Sequence, residues 1–220
     1  SWNFAATAYL NRWKVKIYYE HYFDDHSQMF FQYGRWKDGH IGLEITFPKN
    51  RFIDTFVYEG LGTKDQTGPM LYDSFWGKFE EQISAKDNYY NHYLYQGWQH
   101  WGMGIGNPLL PGPIYNKNGQ ITFISNRVLA HHIGFCGSPC QSLSYRMLLS
   151  YSRHWGTYDN PLNEIKKQFN SLFEVTYAPQ QLKGWSFTVS GAMDRGSMLG
   201  NNYGGMLVIR KQGIIKSGNK

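Results

Sequence analysis

The sequence lacks any run of about 18 apolar residues, the length that a membrane-crossing helix needs. Charged residues are scarce as well, at 17%, whereas soluble domains carry about 25%. The phosphate-binding loop, the Ser-His-Asp pattern and the HExxH zinc motif are absent too. These absences argue against a helical membrane protein and against the enzyme classes that motifs reveal. We therefore predict a non-enzymatic protein with no catalytic residues, no cofactor and no metal site.

Cysteine occurs only twice, in the stretch Cys136-Gly-Ser-Pro-Cys140. No second cysteine pair is present to complete a zinc site. Because Gly and Pro favour turns, we expect residues 136–141 to form a tight turn. The spacing then favours a small disulfide across that turn, or two free thiols, over metal binding. A disulfide would suit an oxidising compartment such as a periplasm or a cell surface.

The formal net charge is +6, but the Lys and Arg residues are scattered along the chain. Nucleic-acid binding proteins carry their basic residues as a clustered stripe. We therefore expect no nucleic-acid partner. Acidic polysaccharide or lipopolysaccharide would serve equally well as an anionic partner.

Alternation of apolar and polar residues is what the sequence has in abundance. In residues 169–177, for example, Phe169, Phe173, Val175 and Tyr177 share one parity. Successive side chains of a strand point to opposite faces, so the pattern predicts sheets with one aromatic, apolar face and one charged face. That combination is typical of an all-β, antiparallel transmembrane β-barrel, or a large part of one, with lipid outside and water inside. We expect about nine to twelve strands.

One domain spanning residues 1–220 is predicted, with residues 212–220 as a flexible tail. Residues 155–168 and 193–202 are expected to form long external loops, and residues 136–141 and 178–184 short periplasmic turns. Two alternatives stay open for the long segments 61–88 and 106–120: either a hairpin lies within residues 61–105, or one of the two segments is a plug or a periplasmic excursion. The predicted strands cover residues 13–23, 41–47, 52–59, 89–105, 127–135, 142–152, 169–177, 185–192 and 203–211.

Several stretches are too distinctive for a generic barrel. They are residues 19–27, 58–69, 87–93, 97–109, 126–134, 151–158 and 194–204. Together they resemble the capsule assembly Wzi family as it occurs in Bacteroides-type bacteria. The resemblance implies a lectin-like barrel of the bacterial outer membrane that attaches or assembles capsular polysaccharide, in contact with outer-membrane lipid and other outer-membrane proteins. Family barrels have on the order of eighteen strands, so the chain is expected to be the C-terminal half to two-thirds of one.

Aromatic and polar residues near the predicted loops are the candidate polysaccharide contacts. Aromatic rings can stack on the C–H edges of a sugar, and polar side chains can bond its hydroxyl groups. The alternative is that the aromatic residues form a girdle at the membrane interface. The candidates are Trp98, Gln99, His100, Trp101, Arg153, His154, Trp155, Asp194 and Arg195.

A second group of charges is expected to face the lumen, where it would hold an anionic glycan or pack as ion pairs. These residues are Lys14, Lys16, Glu20, Arg146 and Glu174. Asp24-Asp25-His26 and Glu80-Glu81 show no calcium-site spacing. Two rival functions stay open. One is a solute channel or an accessory subunit of a larger outer-membrane complex. The other is a soluble β-sandwich carbohydrate-binding module or glycoside hydrolase.

Overall fold

Strands account for nearly all regular structure in the computed structural model, which describes residues 1–23, 38–50, 52–66, 71–72, 83–84, 88–91 and 98–213. Within these ranges there is no α-helix, and a single 3-10 turn covers Pro113–Tyr115. No helix in the described part is long and apolar enough to cross a membrane. The first eight strands are β1 (Trp2–Leu10), β2 (Trp13–His21), β3 (Gly39–Thr46), β4 (Thr55–Gly62), β5 (Leu71–Tyr72), β6 (Ile83–Ser84), β7 (Gln99–His100) and β8 (Met103–Gly104). They are followed by β9 (Val128–Cys140), β10 (Leu143–Gly156), β11 (Pro161–Tyr177), β12 (Trp185–Gly196) and β13 (Asn202–Lys211).

Nine strands form one antiparallel sheet in the order β1-β2-β3-β4-β9-β10-β11-β12-β13. Each strand lies beside its neighbour in the chain, except that β4 pairs with β9 across residues 63–127. The two small pairs β5-β6 and β7-β8 fall within that connection. The all-β, antiparallel prediction is confirmed, and nine strands lie within the predicted range. In the described residues β1 and β13 are unpaired edges, so barrel closure stays a prediction.

The register keeps two chemically different faces distinct across all nine strands. Residues directly opposite each other on antiparallel strands share a face. The partners therefore form rows across the sheet, and the apolar parity of every strand falls on the same side, which we call the apolar face. One such row is Ala8, Val15, Ile45, Phe56, Phe135, Met147, Phe173, Gly191 and Gly205.

Burial on the two faces is the reverse of that in a water-soluble sheet. On the apolar face, Phe4 is 54%, Val189 61% and Leu207 65% exposed. On the opposite side, which we call the polar face, Ser152 and Gln168 are each only 2% exposed. Nothing in the described residues covers the apolar face as a second sheet would.

A small hydrophobic core lies on the polar face instead. Leu61 of β4 and Ala130 of β9 pair on that face and cluster with Val128, Leu110 and Phe123. The last two belong to the described residues of the 63–127 connection, which we call the insertion. Leu110 and Phe123 of the insertion therefore bury against the polar face. They do so at the sheet end that also holds the connections 157–160 and 197–201, here called the loop end.

Several predicted elements differ from the observed ones. Strand β1 was not predicted, although Trp2, Phe4 and Leu10 follow the same alternation. The strand predicted over residues 89–105 is wrong: residues 89–90 form a turn, and the short β7-β8 hairpin follows. The described aromatic residues and glycines of this stretch belong to that turn and that hairpin.

The tight turn predicted over residues 136–141 is wrong, and of the two alternatives left open for Cys136 and Cys140 the structure has the free thiols and not the disulfide. Both cysteines lie in β9 and are free thiols. Four residues of extended strand span about 13 Å, whereas the Cα atoms of a disulfide lie less than about 7 Å apart. The turn between β9 and β10 is residues 141–142, and Gly137 and Pro139 are accommodated at a register shift.

The long loops predicted over residues 155–168 and 193–202 are also wrong. Strands β10 and β11 continue past the apolar belt, and only residues 157–160 connect them. Strand β12 likewise reaches Gly196 and leaves residues 197–201. Backbone pairing extends a hairpin without any apolar side chains, so the end of the alternation does not mark the end of a strand. The predicted turn over residues 178–184 is confirmed.

The predicted tail begins in an ordered contact. The amide of Gln212 donates to the carbonyl of Gly184 at 2.7 Å, which ties the end of β13 to the 178–184 turn. Residues 214–220 lie outside the described ranges, so their predicted flexibility stays a prediction.

The ring of Tyr18 covers Gly42, its direct partner on β3. This contact allows the packing of side chains on the polar face to be tested. A Cβ at Gly42 would lie 2.0 Å from the Tyr18 ring. We expect Gly42→Ala to lower the free energy of unfolding by about 1–3 kcal/mol through overpacking, as measured by denaturant titration. Gly204→Ala is the matched control, because its Cβ would meet nothing within 4 Å. Equal stability of the two variants would contradict the observed packing of Tyr18.

Candidate functional site

A cleft of about 560 Å³ lies between the loop end of the sheet and the described residues of the insertion. Its volume falls in the range of about 300–1,000 Å³ that is usual for small-ligand sites. One wall comes from β2, β3 and β4, and the other from residues 89–90, 98, 106–108 and 110. The cleft therefore depends on segments that are far apart in the sequence.

Aromatic rings form much of the cleft wall. Tyr22 and Tyr89 meet edge to face, with ring centroids 6.2 Å apart. Tyr90 lies 5.7 Å from Trp98 and 4.9 Å from Phe123, between centroids. Trp98 remains 52% exposed. One ring thus stays accessible beside several that are held in place, which is the arrangement that stacking on a sugar ring requires.

Polar groups stand beside these rings. Glu20 and His40 are direct partners on the polar face, and both line the cleft. His40 Nε2 lies 3.5 Å from Glu59 Oε1, and the Tyr18 hydroxyl also donates to that carboxylate. The cleft therefore offers carboxylate, imidazole and hydroxyl groups that can exchange hydrogen bonds with a polyol.

Tyr22 contributes a hydrogen-bond donor to the same cleft. Burial raises the pKa of its phenol well above the usual range, and the nearby Glu20 carboxylate raises it further. The phenol therefore keeps its proton at every physiological pH. It can donate to a sugar hydroxyl or to an anionic group of a ligand.

Asparagine side chains tie the insertion to the sheet end. Asn126 is fully buried and donates to Asn88 Oδ1 at 2.6 Å and to the carbonyl of Tyr89 at 2.7 Å. Its own Oδ1 accepts from Gln66 Nε2 at 2.6 Å. Asn91 and Phe123 exchange a reciprocal pair of bonds at 2.8 and 2.9 Å. These contacts fix the turn that carries Tyr89 and Tyr90.

Two aromatic residues near the cleft have strained backbones. Tyr90 has φ of 71° and Trp101 has φ of 53°, a left-handed region that is uncommon for large side chains. The hydroxyl of Tyr90 accepts from the amide of Asn107 at 3.2 Å. The surrounding hydrogen bonds therefore hold Tyr90 in a costly conformation that points its ring into the cleft wall. Strain of this kind concentrates at binding sites.

The predicted aromatic cluster at residues 98–101 is divided by the structure. Trp98 lines the cleft. Gln99 Oε1 accepts from the amide of Gly102 at 2.7 Å, so this group closes the β7-β8 turn. His100 and Trp101 lie on the same hairpin, and Trp101 is 85% exposed.

The other predicted contacts lie on strands and do not line the cleft. His154 is buried on the polar face and shares a hydrogen bond of 2.8 Å with Ser152. Trp155 stands between Arg153 and Lys64, with their charged groups 5.1 and 5.0 Å from its ring centroid. Asp194 accepts from Asn170 at 2.7 Å on the polar face, whereas Arg195 lies on the apolar face.

All five charges predicted to face the lumen fall on the polar face. The register pairs Lys16 with Glu44 and Arg146 with Glu174. Lys14 lies 3.6 Å from Glu44, and Arg146 lies 3.4 Å from Glu174. Glu20 is the member of this group that reaches the cleft.

His40 and Asn107 line the cleft but were not among the predicted contacts. No local pattern marks them, because neither residue carries a motif and the cleft closes only when the insertion packs on the sheet. The described residues hold no group of three or more potential metal ligands. Asp24-Asp25-His26 and Glu80-Glu81 lie outside the described residues.

Comparisons with protein-family models, with curated proteins and with solved structures found no match. The resemblance to the capsule assembly family therefore stays a prediction.

Asn126 generates a test of how the cleft is held. Asn126→Ala removes the partners of Gln66, Asn88 and Tyr89 together. We expect it to destabilise the insertion by roughly 2–4 kcal/mol, since each buried group left unsatisfied costs about 1–3 kcal/mol. Hydrogen exchange at the amides of Asn91 and Leu110 should accelerate. Asn118→Ala, at an exposed turn of the same insertion, should leave these rates unchanged; faster exchange in both variants would contradict the anchoring role.

Proposed function

We propose that this protein is a non-enzymatic outer-membrane β-barrel, or a large part of one, that binds capsular polysaccharide at the cell surface. The observation that carries the proposal is the apolar face, which continues over nine strands and exposes large apolar side chains such as Ile17, Ile41 and Val189 on several of them. Exposed apolar patches on soluble monomers rarely exceed a few hundred Å². A hydrocarbon environment would remove the cost of this exposure.

Strand lengths and strand ends support the membrane environment. Membrane-spanning strands need about 9–11 residues, and β1, β2 and β13 have nine, nine and ten. Trp2 and Trp13 mark the two ends of the first hairpin on the apolar face. Trp and Tyr favour the boundary between lipid and water. Within the apolar face, the polar ring of His131 is satisfied by the Tyr58 hydroxyl at 2.8 Å.

The cleft supports the polysaccharide part of the proposal. It combines an accessible Trp98 ring with Glu20, Tyr22 and His40, and it opens at the loop end. Apolar ring faces beside groups that both donate and accept hydrogen bonds match the two surfaces of a sugar. The resemblance to the capsule assembly family points to the same class of ligand.

The membrane environment can be tested by charge placement on β12. Val189→Arg puts a charge on the apolar face, and we expect it to destabilise the protein in lipid vesicles by about 2–4 kcal/mol. Ala192→Arg is the control, because Ala192 lies on the polar face and is also exposed. The measurement is a urea titration of the full chain refolded into vesicles. Equal tolerance of both substitutions, or folding without any lipid or detergent, would refute the barrel.

Glycan binding can be tested at the cleft. Trp98→Ala should weaken binding of purified capsular polysaccharide by about 3- to 10-fold, since a ring contact contributes roughly 0.5–1.5 kcal/mol beyond buried area. Tyr115→Ala is the matched control, because this exposed ring lies on the same insertion but outside the cleft. Biolayer interferometry on detergent-solubilised protein gives the affinities. Unchanged binding in Trp98→Ala would exclude the cleft as the glycan site.

A further inference from the structure

Three cations stand together on the apolar face at the loop end. Arg153 on β10 is the direct partner of Lys167 on β11. Arg195 on β12 is paired with Phe169, two residues along β11 from Lys167. None of the three forms an ion pair with any described residue. We call Arg153, Lys167 and Arg195 the basic rim.

Repulsion among the three cations of the basic rim costs free energy unless an anion binds to them. Like charges directly opposite each other on a sheet are destabilising, and repulsion grows where lipid lowers the dielectric constant. Arg153 stacks over Trp155 at 5.1 Å, and its Nε is buried without a hydrogen-bond partner. One donor of the cluster is therefore left unsatisfied by the protein itself.

A shallow depression of about 300 Å³ lies on the same face as the basic rim, and Ser171, Phe173, Gly191, Met193 and Tyr203 line it. Gly191 pairs with Gly205 at this place, and a Cβ at Gly191 would meet nothing within 4 Å. Along β12, Met193 lies two residues from Arg195, and Gly191 lies about 13 Å from it at the usual rise per residue. An apolar depression and a cluster of cations thus lie on the same face, within the length of one acyl chain.

We propose that the basic rim and this depression together bind a phosphorylated lipid of the outer leaflet, with its phosphate on the three cations and an acyl chain in the depression. Arginine binds phosphate through two parallel hydrogen bonds, which suits Arg153 and Arg195. This inference rests on the proposed membrane location. It also gives the sheet an orientation, because the loop end and the glycan cleft then share the external side.

The phosphate contact is tested with a triple variant. Arg153→Gln, Lys167→Gln and Arg195→Gln together should weaken binding of diphosphoryl lipid A to the full chain in neutral detergent by on the order of 100-fold, because each cation at an anionic lipid surface contributes about 1 kcal/mol. Native mass spectrometry measures the bound lipid. The matched control carries Arg12→Gln, Lys49→Gln and Lys183→Gln, which remove the same charge at the opposite end of the sheet. The control should bind as the unmodified chain does.

The acyl contact is tested separately. Gly191→Leu fills the depression and should weaken lipid A binding several-fold, whereas Ala8→Leu, on the apolar face of β1, should not. Dephosphorylated lipid A and phosphatidylcholine should bind equally weakly to the unmodified chain and to the triple variant. Inorganic phosphate at millimolar concentration should not compete.

The outcomes separate this inference from the proposed function. If the triple variant inserts into vesicles normally but binds lipid A like the control, the phosphate site is refuted and the barrel stands. If inorganic phosphate competes fully, the rim binds free anions and the lipid assignment is wrong. If the unmodified chain fails to insert at all, the barrel itself is wrong. Normal Trp fluorescence and circular dichroism of each variant confirm that it is folded.

Discussion

Antiparallel register is the constraint on which the rest of this structure depends. Each strand pairs so that apolar residues meet apolar residues, and eight successive pairings preserve that match from β1 to β13. A slip of one residue at any pairing would move the entire apolar set of the following strands to the other face. The β4-β9 pairing is the least local of the eight, because it restores the pairing of apolar with apolar residues after the 63–127 connection. Rows such as Tyr58 with Ile133 show that it does so without a shift.

The insertion packs against the polar face of the sheet, on the side opposite the exposed apolar face. Its apolar residues, Leu110 and Phe123, bury against Leu61 and Ala130, where the polar face is locally aliphatic. Its remaining attachments are amide side chains, with Asn126 at the centre. Hydrogen bonds of this kind can fix a loop on a polar surface without requiring a second large hydrophobic core. The cleft follows from this arrangement, since the insertion covers the polar face only in part.

Within strands that were predicted, such as residues 13–21 and 169–177, alternation gave the correct face of each side chain, because parity depends only on local sequence. Lys14, Glu20, Arg146 and Glu174 fall where parity places them. Strand ends were not predictable in this way, because β10 and β11 continue through Arg153 and Lys166 on backbone pairing alone. The turn predicted at Cys136 and Cys140 was wrong for a related reason. Gly and Pro between the two cysteines suggest a turn, but a register shift between β9 and β10 accommodates both within the strand. The cleft depends on residues that are far apart in the sequence, which no local pattern brings together: 20–23, 40, 61–63, 89–90, 98 and 106–110.

The chemistry along β10 and β11 changes abruptly between two neighbouring rows. Tyr151 and Phe169 close the aromatic belt of the apolar face, and Arg153 and Lys167 follow in the next row. The polar face shows no such change in chemistry, since Ser150, Ser152 and His154 continue it with polar side chains through the same rows. A boundary that appears on one face alone indicates a change of surroundings and not a change of fold. The proposed membrane environment, with hydrocarbon ending at the Tyr151 row and anionic groups beyond it, would account for both observations together.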